Sequence, residues 1–141
     1  MKFNSLYYLV AIFSFSLISC EEDKLSSDDC ESENLICTEE FRTITLEIKD
    51  GNGNPVVLDD FYTFEDSRNK FEFDKNDFQV ENGIYPVISD AELEELDKVG
   101  TVLIFVGEID GRNVVEHQMV IGHDCCHVIL IEGETEIQIE E

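Results

Sequence analysis

The stretch GHDCCHVIL at 122–130 sets adjacent Cys125 and Cys126 between His123 and His127, side chains that can ligate a soft metal, attack an electrophile or cross-link the chain. If the stretch is extended, residues two apart share a face, so His123, Cys125 and His127 would present an imidazole–thiolate–imidazole edge suited to copper or zinc. The Cys-x₂₋₄-Cys spacing usual in structural zinc sites is missing. A nucleophile made from Cys125 or Cys126 with His127 as its base would need a reduced thiol of lowered pKa. His117, at strand spacing between Val115 and Met119, fits a packed or rim position. A hard-cation alternative lies at Asp50-x-Asn52-x-Asn54, which copies the first half of a calcium loop, but Pro55 stands where that loop needs glycine and Phe61 where it needs glutamate. A tight turn asks for the same Gly and Asn residues and accounts for them more simply, with Asp59 and Asp60 close by in sequence. The chain holds no Gly-x-Ser-x-Gly, no His-Glu-x-x-His and no phosphate-cradling glycine loop, so no catalytic residue is assigned and no cofactor is expected.

Which chemistry Cys125 and Cys126 perform depends on the compartment they reach, and that is written at the N-terminus. After Lys2 an apolar run from Leu6 to Ile18 falls short of the roughly 20 residues a spanning helix needs, and reads as a secretory signal. Leu17-Ile18-Ser19-Cys20 resembles the lipobox of bacterial lipoproteins, and the resemblance implies a diacylglyceryl thioether on Cys20 with cleavage just before it. The chain then divides into a signal peptide at 1–19, an acidic tether at 20–40 and a folded domain at 41–141. Acyl chains contribute roughly 0.8 kcal/mol per buried methylene, so an anchored Cys20 would keep the protein on its membrane. Glu21-Glu22-Asp23-Lys24 is similar to the acidic signals that send some Gram-negative lipoproteins to the outer face of the outer membrane. That implies display on the cell exterior, with the periplasmic face as the alternative.

Such a compartment oxidises thiols, and Cys30, Cys37, Cys125 and Cys126 remain once Cys20 is lipidated. Adjacent cysteines on a strand point to opposite faces and rarely bond each other. We therefore expect Cys30 and Cys37 to reach Cys125 and Cys126, in an order the spacing leaves open. Each bridge would close a loop of about ninety residues and contribute roughly 4 kcal/mol on the chain-entropy model.

The elements that must position these residues are strands. Ile44, Leu46 and Ile48 alternate with Thr45, Glu47 and Lys49; DGNGNP then turns, and VVLDDFYTFE runs on as a second strand. DSRN turns again, KFEFD puts Phe71 and Phe73 on one face, and a weaker extended stretch continues through Phe78 and Val80. Ile84 to Ile88, with Pro86 inside, suits an edge. SDAELEELDKVG is the one helical signal, with Ser89 or Asp90 as N-cap, Glu92 completing a capping box and Gly100 as the stop. TVLIFVGEI is the most apolar strand, Asp110-Gly111 a two-residue hairpin turn, and NVVEHQMVI, HVILIE and an edge through Ile137 and Ile139 complete the set.

This pattern predicts an all-β fold: a single immunoglobulin- or transthyretin-like β-sandwich of about seven strands with one short connecting helix. LEIKDGNGNPV resembles the opening of transthyretin-like and carboxypeptidase-regulatory-like domains, where a strand ends in Asp, a Gly/Asn turn follows and Pro-Val begins the next strand. The resemblance covers residues 46–57 and implies a spacer or binding module. The segment from IGHDCCH onward is similar to the tails of small bacterial lipoproteins.

With 33 acidic and 9 basic residues the net charge is −24, which repels nucleic acid and anionic head groups and leaves divalent cations, basic proteins and amine-bearing ligands as possible partners. The carboxylates are spread along the chain, as on a soluble surface. The expected protein is a lipid-anchored, non-catalytic binding or structural accessory, its partners the membrane through Cys20 and another envelope protein or a glycan. The alternative is a metal-binding or redox protein centred on the GHDCCH segment.

Overall fold

The computed structural model describes Cys30 and residues 35–65, 69–78 and 80–140; the signal segment, Cys20 and part of the DSRN turn lie outside the described residues. Eight strands follow in order: β1 (Thr43–Asp50), β2 (Asp60–Glu65), β3 (Asn69–Phe71), β4 (Ile84–Ser89), β5 (Thr101–Ile109), β6 (Arg112–His123), β7 (Val128–Glu132) and β8 (Glu136–Ile139). They form an all-β sandwich of a three-stranded sheet, ordered β4-β1-β8, and a five-stranded sheet, ordered β3-β2-β5-β6-β7. Among the described residues no helix is long and apolar enough to cross a membrane.

In β1 the period of two puts Leu46 and Ile48 fully inside while Glu47 and Lys49 stay half exposed. The strand pairs antiparallel with β4 and parallel with β8, so β4, with its proline, is the edge the sequence suggests. Gly83 leads into β4 at φ +72°, and its carbonyl accepts from Ile48 N at 2.8 Å. A Cβ there would lie 2.6 Å from the Ile48 carbonyl oxygen, so both the turn and the close strand approach require glycine. Between β5 and β6, Asp110 and Gly111 have φ of 52° and 68°, the two positive values of a type I′ turn, whose twist matches the flanking strands.

The core lies between the sheets. Tyr85, fully buried on β4, meets Phe61 of β2 edge-on at 5.0 Å and Phe105 of β5 at 6.0 Å. Its hydroxyl donates to the Val56 carbonyl and accepts from Leu58 N, both at 2.8 Å. This explains why residues 56–59, expected as part of a strand, run as a loop before β2. Val56 and Leu58 both turn inward, and while Val56 N still bonds to the Ile48 carbonyl of β1 at 3.0 Å, the Val56 carbonyl and Leu58 N bond to a side chain instead of a continuous strand partner.

The expected helix at 90–98 is corrected to a 3₁₀ turn over Asp90–Glu95. Its capping box is present: Ser89 Oγ and Ser89 N both lie on Glu92 Oε2, at 2.6 and 3.1 Å. The turn stops at Leu96 because that side chain is buried and Asp97 N is already bonded to Thr101 Oγ1, at the start of β5. The extended stretch expected through Phe78 and Val80 is replaced by 3₁₀ turns at Lys75–Asp77 and Val80–Asn82, the first capped by Asp74.

Candidate functional site

Strand β6 ends at His123 and β7 begins at Val128, so GHDCCH does not run on as the extended edge its spacing suggested. It closes a hairpin whose tip is Cys125 and Cys126, flanked by a bond from Asp124 N to the His127 carbonyl at 3.1 Å. Cys125 has φ +78°, a left-handed conformation that glycine usually supplies at the first position of a two-residue loop. Asp124 steadies the tip: its Oδ1 accepts from Cys126 N at 3.0 Å and from His127 N at 2.8 Å. Those two N–H groups, that of His127 foremost, hold the Asp124 carboxyl below the usual carboxylate range.

The bridges join Cys30 to Cys125 and Cys37 to Cys126, each with Cα atoms 5.3 Å apart, which supplies the order the sequence left open. Because the cysteines sit at a hairpin tip, two adjacent residues can reach two different points of the preceding chain.

His127 is buried and both its ring nitrogens are engaged, Nδ1 with Asp90 Oδ2 at 2.8 Å and Nε2 with Thr38 Oγ1 at 2.9 Å. Asp90 also accepts from Arg42 N at 2.7 Å and from Val128 N at 2.8 Å. Burial alone would push the Asp90 carboxyl up, but the bonds from His127, Arg42 and Val128 outweigh it and hold the group below its ordinary value. Thr38, His127 and Asp90 thus stand in the hydroxyl–imidazole–carboxylate order of an acyl-transfer relay. Here that order ties the 38–42 segment to the start of β7: the carboxylate's remaining capacity goes to backbone N–H groups on both sides, and the Cys126 and His127 N–H groups turn to Asp124.

His127 therefore does not join His123 and Cys125 as a third ligand. Among the described residues the group with metal-ligand spacing is Cys30, His123 and Cys125, whose donor atoms all lie within 4.8 Å of one another. His123 is buried, and its Nδ1 accepts from Cys125 N at 3.1 Å. In the Asp50 loop, Oδ1 of Asp50 accepts from Asn52 N and Asn54 N at 2.8 Å and Oδ2 from Asn54 Nδ2 at 2.9 Å. These bonds, the Asn54 side-chain amide first, lower the Asp50 pKa and give its oxygens a role in the turn itself. Asp59 accepts from Asp110 N at 2.7 Å and Asp60 pairs with Lys75 at 3.3 Å. His117 is a rim residue on β6, with Nε2 2.9 Å from the Glu134 carbonyl.

Sequence reasoning reached His123 and the cysteines but missed Asp90 and Thr38 as members of the site. A weak signal existed for Asp90: Ser89 with Glu92 already satisfies the capping box, leaving the Asp90 carboxylate for another partner. Comparison with family models, with curated proteins and with solved structures gives no match to this chain.

Proposed function

We propose that the chain is an envelope lipoprotein, anchored through an acylated Cys20 and displayed on the outer membrane, where its sandwich acts as a binding or structural accessory to another envelope protein or a glycan. The observation that carries this reading is the double tie between the segment after the anchor and the hairpin tip, Cys30–Cys125 with Cys37–Cys126. Paired cysteines of this kind belong to an oxidising compartment. They also transmit the anchor's position to the fold, since the tether meets the sandwich at two covalent points. Of the groups best equipped for chemistry, Asp90, Asp124 and Asp50 are engaged in holding backbone and the His127 ring in bridging Thr38 and Asp90, which favours a scaffold over a catalyst.

The test is the intact mass and detergent partitioning of the native protein. The expected mature chain begins at Cys20 with the mass of its acyl groups, partitions into the detergent phase and loses both properties in Cys20→Ser. Protease treatment of intact cells should cleave it. A native protein that begins at Met1, carries no lipid and stays in the aqueous phase would sink the reading.

A further inference from the structure

We propose that the Cys30–Cys125 bridge is the closed form of a zinc site: once a dithiol reductant opens it, Cys30, Cys125 and His123 bind one zinc ion through two thiolates and an imidazole. Three donors within 4.8 Å are already gathered around a small volume. Tetrahedral zinc, with Zn–S near 2.3 Å and Zn–N near 2.0 Å, spaces its ligand atoms by roughly 3.5–3.8 Å. The two sulfurs therefore need to separate from bonding distance, and the imidazole nitrogen, within 4.8 Å of both, has at most about 1.3 Å to close.

His123 is well placed for this. It ends β6 in register with Val128 of β7, is buried, and its Nδ1 lone pair faces the hairpin tip through Cys125 N. That lone pair, given up by Cys125 N as the tip rearranges around the ion, is the donor we assign to the metal. Cys125 sits at φ +78°, the conformation the first position of the two-residue loop requires, which keeps its sulfur beside His123.

The neighbouring bridge gives the arrangement its logic. With Cys37–Cys126 intact and Arg42 and Thr38 bonded to Asp90 and His127, the chain from Cys37 onward stays on the domain when Cys30 is released. At no more than about 3.6 Å per residue, the short span back to Cys30 keeps its thiol close to Cys125 at high effective concentration. One bridge retains and the other gates.

The step balances. The dithiol donates two electrons and two protons, the Cys30–Cys125 S–S bond breaks, two S–H groups form and the reductant closes its own disulfide. Zinc then displaces both thiol protons, giving a neutral pair of thiolates and Zn²⁺ with a fourth position for water. This holds independently of the lipid anchor.

The experiment uses the mature chain, reduced with a phosphine, which does not itself hold zinc, with Co²⁺ as the spectroscopic probe and Zn²⁺ as competitor. We expect no thiolate-to-cobalt charge-transfer absorption from the oxidised protein. After reduction one cobalt per chain should bind with that absorption and be displaced by zinc. With both bridges reduced in the wild-type chain, zinc should protect Cys30 and Cys125 from alkylation while Cys37 and Cys126 are labelled, a readout that needs no variant. His123→Gln, which keeps a hydrogen-bond acceptor of similar size, should weaken binding by at least about tenfold. Where the reduced chain loses its near-ultraviolet circular dichroism, zinc should restore it. Absence of thiolate–cobalt absorption, protection of Cys37 and Cys126 instead, or affinity unchanged in His123→Gln would overturn the proposal.

Discussion

Asp90 concentrates more of the hairpin's polar connections than any cysteine does. Its side chain is 9% exposed and takes hydrogen bonds from the ring of His127 and from the N–H groups of Arg42 and Val128. A neutral asparagine in its place could accept on one oxygen only and would aim its amide hydrogens at another donor, so Asp90→Asn should cost about 2–4 kcal/mol at neutral pH. The sign of the pH dependence follows from the lowered pKa: the folded state binds the Asp90 proton less readily than the unfolded chain. The carboxylate's contribution is therefore complete above the unfolded value, about 4, and is lost as the pH falls through the still lower folded value. Urea denaturation across this range should find wild type losing stability towards acid faster than Asp90→Asn, the two curves converging at low pH. Parallel curves would mean that Asp90 is not the group linking the clasp to protons.

At the level of elements, the buried turn of the loop before β2 is satisfied by one hydroxyl, between backbone bonds from Val56 N to β1 and from Asp59 N to β5. Tyr85 Oη donates to Val56 O and accepts from Leu58 N in the closed core, and burial pushes its pKa up, so it stays protonated and able to donate. Tyr85→Phe keeps the ring packing against Phe61 and Phe105 but leaves a buried N–H and a buried carbonyl unmet, for an expected loss of about 1–3 kcal/mol in chemical denaturation. Amide exchange at Leu58 should quicken more than at β5. This loop also marks where the sequence stops being readable. TVLIFVGEI at 101–109 coincides with β5, and Asp110-Gly111 with its turn, because a period of two or a turn dipeptide is decided by neighbours in sequence. Val56 and Leu58 look equally strand-like, yet the Val56 carbonyl and Leu58 N find their partner in a tyrosine 27 to 29 positions away. The site divides in the same manner. His123 and Cys125 are legible as a motif, whereas Asp90 and Thr38 reach His127 across 37 and 89 residues, and no local pattern records that. The parallel pairing of β8 with β1 is likewise a property of the assembled sandwich, although the alternation of Ile137 and Ile139 announces a strand.

For the molecule as a whole, the decisive fact about the two bridges is that their loops interlock. Taken alone, Cys30–Cys125 closes a loop of 95 residues and Cys37–Cys126 one of 89, each restricting the unfolded chain by about 4.7 kcal/mol. Once either is closed, the other shuts only a small ring through 30–37 and 125–126, and its added contribution falls to about 2.5 kcal/mol. The pair is then worth about 7 kcal/mol rather than the roughly 9 that independent loops would give, a sizeable share of the 5–15 kcal/mol typical of a domain. In a chain of net charge −24, whose own repulsion disfavours compaction, that share carries further weight. Replacing both cysteines of one bridge by serine should lower stability modestly and by nearly the same amount whichever bridge is chosen. Replacing all four should cost an additional and larger increment, nearly twice the first. Equilibrium unfolding of the three variants without metal measures this directly: equal increments would mean the bridges act independently, and a large first loss with a small second one would place the stabilisation in folded-state contacts rather than in chain entropy. The small first increment also means that opening either bridge alone leaves most of the pair's stabilisation in place.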